Sequence, residues 1–144
     1  MKIQRFTIPF RLPGLNEVIG KNRSNPFAGA SLKSRTDADI QWAIVGIRPV
    51  KAPCIVMMVF TEPNKRRDVD NVESAKKFVL DAMVKKGVLQ GDGRKYVIGD
   101  PSFTRRDNGP AKVDVTIVED EDVEELWALL GKAEAILGGD GVVP

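Results

Sequence analysis

Three cations run directly into two carboxylates in the segment Asn64-Lys65-Arg66-Arg67-Asp68-Val69-Asp70-Asn71. Side chains alternate along an extended chain, so acids two residues apart face the same side, whereas on a helix they would point roughly opposite ways. In extended backbone, just before an amphipathic stretch, Asp68 and Asp70 would offer a hard cation such as Mg²⁺ the oxygen ligands it prefers. A plainer role is open to the same segment: Asp70 or Asn71 could simply cap the following helix. A third carboxylate, Asp92, lies between Gly91 and Gly93 soon after that helix ends, where it could equally be a turn residue. Lys77 follows Asp70 by seven residues, two turns along and on nearly the same face. It also stands four residues before Asp81, the spacing of an ordinary surface pair.

The chain contains no histidine and one cysteine, Cys54. Ser–His and Cys–His nucleophile pairs are therefore excluded, as are structural zinc and iron–sulfur sites built from this chain alone. Cys54 lies within an apolar run and reads as a small buried hydrophobe rather than a nucleophile. With no internal disulfide, no signal-peptide pattern and no membrane-length apolar run, the expected setting is the cytoplasm. Catalysis, if present, rests on carboxylates, lysines, arginines, Tyr96 or an oxygen-ligated metal.

A net charge of +2 conceals an asymmetry. Residues 119–144 hold eight acids and one base, Lys132, which leaves 21 bases and 12 acids in residues 1–118. A body with net charge +9 suits a polyanionic partner, nucleic acid being the commonest.

The elements that must position these groups can be read coarsely. Residues 2–8 form a weak strand ending at Pro9, and Pro13-Gly14 marks a turn. Residues 20–36 form a basic segment broken by Pro26 and Gly29. Asp37 or Asp39 would cap a helix carrying Ile40, Ala43, Ile44 and Ile47. The run from Ala52 to Thr61 fits a strand buried on both faces. Asn71 to Lys86 is the clearest amphipathic helix, stopped by Gly87. A strand over Tyr96 to Thr104, interrupted at Gly99 and Pro101, and another over Lys112 to Val118 would pair as a hairpin around Asp107-Asn108-Gly109-Pro110. Val123, Leu126, Trp127, Leu130 and Leu137 give the acidic tail a helical pattern. The sum is one α/β (α+β) domain with a small mixed sheet over residues 1–118 and an acidic amphipathic extension over 119–144.

Asp68-Val69-Asp70-Asn71, the helix with Lys77-Phe78-Val79-Leu80-Asp81-Ala82, then Gly87-Val88-Leu89 and Asp92, together resemble the RusA-type Holliday junction resolvases, endodeoxyribonucleases common in phages and prophages. Leu12-Pro13-Gly14-Leu15-Asn16-Glu17 and Asn25-Pro26-Phe27-Ala28-Gly29-Ala30 are similar to phage members of that family, and the likeness covers about residues 5–118. The resemblance implies an Mg²⁺-dependent homodimer, with Mn²⁺ a possible substitute, whose site uses Asp68, Asp70 and Asp92 as metal ligands and Lys77 as the catalytic lysine. The stretch after Asn71 is about three residues longer than in the family, which keeps Lys76 a rival to Lys77. Asp92 also lacks the acidic neighbour that family members often have.

The activity so implied is resolution of four-way DNA junctions by paired symmetric nicks, with metal-activated water attacking the phosphodiester. Lys77 would stabilise the developing charge or orient the water. Asn16, Lys21, Arg23, Lys65, Arg66, Arg67, Lys76, Arg105 and Arg106 would contact DNA, mainly at phosphates. No nucleotide cofactor and no membrane are expected. Phe27 either wedges against bases at a branch or, the favoured reading, anchors a loop against the sheet. The alternative function is a non-catalytic basic protein that binds branched or single-stranded DNA. A hydrolase of small phosphorylated substrates fits such a basic body less well.

Overall fold

The strand Cys54–Glu62 (β2), apolar without a break as far as Phe60, forms the middle of the fold because both of its faces are covered. The computed structural model describes residues 1–137, with side chains described to Lys132. Val56, Met58 and Phe60 enter the main core, while Ile55 and Met57 turn to a smaller cluster on the other side. A strand covered on both sides has no polar face, so its sequence shows no alternation.

Around β2 lies a five-stranded mixed sheet. Lys112–Glu119 (β5) pairs antiparallel with one edge of β2, and Lys2–Ile8 (β1) pairs antiparallel with β5. Val97–Gly99 (β3) and Ser102–Arg106 (β4) pair parallel with the other edge of β2. The expected hairpin between residues 96–104 and 112–118 is therefore not formed: β2 lies between β4 and β5. The turn signal was real, since Gly109 has φ +129, but the chain there passes across β2 to its far edge.

Residues 15–43 depart most from expectation. Two helices, Leu15–Ser24 (α1) and Pro26–Ala43 (α2), take in the 20–36 stretch read as a broken basic segment. The helix expected from Asp37 or Asp39 is the last part of α2, which ends at Ala43, before Ile44 and Ile47. Pro26 is at the first helical position, where its missing N–H costs nothing, and Asn25 caps the helix by accepting from the Phe27 N–H at 2.8 Å. Gly29 is inside α2 because a Cβ there would lie 1.7 Å from Asn22 Oδ1. Asp37 caps nothing: it is buried in mid-helix and pairs with Lys85.

The strong helix 71–86 is also divided, into Val69–Glu73 (α3) and Lys76–Lys85 (α4). Ser74 Oγ donates to the Asn71 carbonyl at 2.6 Å at the break. α2 and α4 cover one face of the sheet, through Ile40, Val79 and Met83.

Val123–Leu137 (α5) covers the other face. Leu126 is fully buried there against Ile55 and Val118, with Leu130 beside them. The acidic tail thus begins inside β5, at Glu119, and packs on the body as part of the same α+β domain. Asp140 and the side chains of Glu134 and Leu137 lie outside the described residues. Among the described residues no helix is long and apolar enough to cross a membrane. Cys54 is buried as expected, and burial, reinforced by Glu119, pushes its thiol pKa up to about 11.

Candidate nucleic-acid interface

Two motifs 55 residues apart are joined by one hydrogen bond: the Asn16 backbone N–H donates to Asn71 Oδ1 at 3.0 Å. The loop before α1 lies so close to Asn71 that a Cβ on Gly14 would be 2.5 Å from Oδ1. Arg67 holds the same loop from the other side, donating from Nη1 to the Leu12 carbonyl at 3.0 Å. Its remaining nitrogens reach Glu62, Nε at 2.7 Å and Nη2 at 2.6 Å. Arg67 and Glu62 are largely buried, so this guanidinium fastens the end of β2 to the loop and is not available to grip a phosphate. That corrects its expected role; Asn16 engages Asn71 through its backbone N–H and is itself exposed.

Asp68 and Asp70 flank this clamp and are exposed. Asp68 has extended backbone (φ −67, ψ 154) at the N-cap position of α3, and its side chain makes no capping hydrogen bond. Asp70 is already inside the first turn. The extended Asp-x-Asp that would aim both acids the same way is therefore not formed, because helix begins at Val69. Among the described residues, neither acid takes part in an ion pair. Both lie where a helix dipole favours negative charge.

Beside Asp68 is a groove of about 360 Å³ lined by Lys65, Arg67, Thr104, Arg105 and Arg106, among others. It sits at the carboxyl ends of the parallel strands β2 and β4, where Glu62 and Arg106 are register partners. Open sheets with parallel strands generally bind ligands at this edge. Three of the expected phosphate contacts, Lys65, Arg105 and Arg106, thus meet on one surface. Arg66 is exposed next to it. A larger cavity of about 620 Å³ lies at the amino end of β2, lined by Lys51, Pro53 and Glu119, and holds none of the motif residues.

Lys77 joins α4 to the turn after it: Nζ lies 2.6 Å from Asp92 Oδ2 and 3.0 Å from Asp81 Oδ1. The hydrogen bond to Asp92, then that to Asp81, raises the Lys77 pKa above the ordinary lysine value. The same bond and the ammonium charge hold Asp92 below the ordinary carboxylate value. Both groups therefore remain ionised near neutral pH. Lys76 instead points to Asp100, donating to its carbonyl at 3.2 Å. Of the two rival lysines, only Lys77 pairs with Asp92.

The donor chemistry at Asp68 and Asp70 suits Mg²⁺: both offer oxygen alone, exposed and unpaired. It does not extend to a third ligand. Among the described residues no three acidic side chains are grouped to hold one ion, and Asp92 is engaged with Lys77. The convergence of Asp68, Asp70 and Asp92 expected from the sequence is not present in the single chain.

One contributor escaped sequence reading. Glu73 accepts from Ser102 Oγ and, at 2.7 Å, from Thr104 Oγ1, which ties α3 to β4 beside the groove. Nothing in the spacing of residues 73, 102 and 104 signals this contact. Lys21 and Arg23 lie apart from the groove, in the last turn of α1. No protein-family model matches the chain, and a search of curated proteins finds no significant match.

Proposed function

We propose that this chain is an Mg²⁺-dependent endodeoxyribonuclease that acts on branched DNA and, as a homodimer, resolves four-way junctions by paired symmetric nicks. The observation that carries the reading is the junction of its two motifs: the Asn16–Asn71 bond brings the loop before α1 against the start of α3. Nearby are two unpaired carboxylates: Asp68, which lines a groove with Lys65, Arg105 and Arg106, and Asp70, in the first turn of α3.

Each residue has a task that its surroundings support. Lys65, Arg105 and Arg106 hold backbone phosphates, which positions DNA without reading its sequence. Asp68, on the groove, would offer Mg²⁺ an oxygen ligand, with Asp70 in the first turn of α3 a second candidate ligand. The chemistry such an ion would supply is to neutralise charge at the scissile phosphate and lower the pKa of water. Lys77, with its raised pKa, serves as a fixed positive charge and not as a general base. Asp92, with its lowered pKa, stays a carboxylate and orients that ammonium. Arg67, Asn71 and Glu73 position the helix start that carries the acids. A C₂ dimer would match two equivalent sites to the near two-fold symmetry of a four-way junction.

A labelled four-way junction incubated with the protein and Mg²⁺ tests the reading: nicks placed symmetrically in opposing strands support it. A second reading is favoured by the pairing of Asp92 with Lys77 and the absence, among the described residues, of a three-acid cluster. In it the chain binds branched DNA without cutting. A junction that is bound yet stays intact in both Mg²⁺ and Mn²⁺ selects that reading.

A further inference from the structure

Phe27 is 83% exposed, which overturns its expected place as a loop anchor against the sheet. It sits at the apex of a helical hairpin, one residue past the Asn25-Pro26 corner that separates α1 from α2. The apex is held in place from within. Asn25 Oδ1 accepts the Phe27 N–H at 2.8 Å, and Gly29 lets Asn22 press against α2. An aromatic ring so exposed on a fixed backbone contributes little to the core and leaves its face open to stacking.

The charge around it specifies the partner. Between Val18 and Thr36 there are four bases, Lys21, Arg23, Lys33 and Arg35, and no acid. All four are exposed, and among the described residues none of them pairs with a carboxylate. A helical hairpin that carries an exposed ring and four unpaired cations fits a strand that offers both phosphates and a bare base face. Duplex DNA offers no such face, since each of its bases is already stacked on both sides. The base of the hairpin is anchored at the candidate site through Asn16 and Asn71. With ten residues in α1, the apex stands about 15 Å from that anchor, a few nucleotides along a bound strand.

We propose that Phe27 is a stacking platform for an unpaired DNA base at a branch point, with Lys21, Arg23, Lys33 and Arg35 holding the adjoining phosphates. The inference rests on the branched-DNA reading above and adds how an arm junction is distinguished from plain duplex.

The test uses the full chain, wild type, Phe27→Ala and Phe27→Trp, with three probes: a junction carrying 2-aminopurine unpaired at the branch, a single strand, and a duplex of equal length. Phe27→Ala should weaken binding to the first two by about ten-fold and change duplex binding less than two-fold, as expected when one aromatic–base stack is removed. The change in 2-aminopurine emission seen with wild type should vanish with Phe27→Ala and return with Phe27→Trp. Equal affinity of wild type and Phe27→Ala for all three probes overturns the platform, and if the wild type still cuts junctions the nuclease reading survives. Loss of self-association in Phe27→Ala, measured by sedimentation, also overturns it by assigning the ring to a second copy of this chain. Failure of the wild type to bind any probe overturns both readings together.

Discussion

Lys77 Nζ and Asp92 Oδ2 stand 2.6 Å apart, joining α4 to the Gly91-Asp92-Gly93 turn that follows it. The pair is largely exposed, so it adds little to stability.

The charges on this pair persist over a wide pH range. Asp92 titrates below its ordinary value of 3.8, so its stabilising contribution is present above that value and lost as pH falls through the lowered one. Lys77 titrates above its ordinary value of 10.5, so its contribution is complete below that value and lost as pH rises through the raised one. NMR titration of the Asp92 carboxyl should therefore give a midpoint below 3.8 that moves up in Lys77→Met. Any change in activity between about pH 5 and 9 belongs to other groups. A midpoint unmoved by Lys77→Met contradicts the pairing.

Arg67→Ala should destabilise the fold by roughly 3 kcal/mol, because it leaves Glu62 buried without its partner and frees the Leu12 carbonyl. Lys65→Ala and Arg106→Ala, on the open groove, should each change stability by less than about 0.5 kcal/mol. Urea denaturation of the three variants separates the structural arginine from the proposed phosphate contacts. Equal small effects in all three would contradict the assignment of Arg67 to the scaffold.

Asn71→Ala removes the bond to the Asn16 N–H and should cost about 1 kcal/mol of stability. Its larger effect should be on turnover, since the loop before α1 and the start of α3 lose their mutual register. Gly14→Ala, which drives a Cβ into Asn71, should reproduce that loss of turnover with junction affinity nearly unchanged. Wild-type turnover in both variants would show that this register does not matter.

Leu126 is completely buried beneath α5, so Leu126→Ala should cost about 2–4 kcal/mol in chemical denaturation. A cost near zero would mean that the acidic segment is a loose appendage.

Much of this architecture was legible because periodicity reports burial. The apolar run of β2, the alternating Val113, Val115 and Ile117 of β5, and the spacing of Leu126 and Leu130 in α5 each point inward as the pattern requires. Only the last part of α2, around Ile40 and Ala43, was legible; before it, Gly29, Thr36 and Asp37 take the buried positions and leave no apolar stripe. Pro26 and Gly29 looked like breaks, although the first opens a helix and the second admits a neighbouring helix. Strand partners were misread because a turn between β4 and β5 does not reveal that β2 already lies between them. At the site, residue types pointed to Asp68, Asp70, Asp92 and Lys77. The contacts that organise it, Asn16–Asn71, Arg67–Leu12 and Glu73–Thr104, are non-local and leave no periodic trace.

The central claim is that the carboxylates at the start of α3 perform chemistry and do not merely cap a helix. Its most direct measurement compares wild type and Asp70→Asn on a labelled four-way junction in Mg²⁺, scoring binding and strand cleavage in the same samples. The account predicts equal binding, paired symmetric nicks from the wild type and none from Asp70→Asn. Equal cleavage by both proteins, or cleavage by neither, would contradict it.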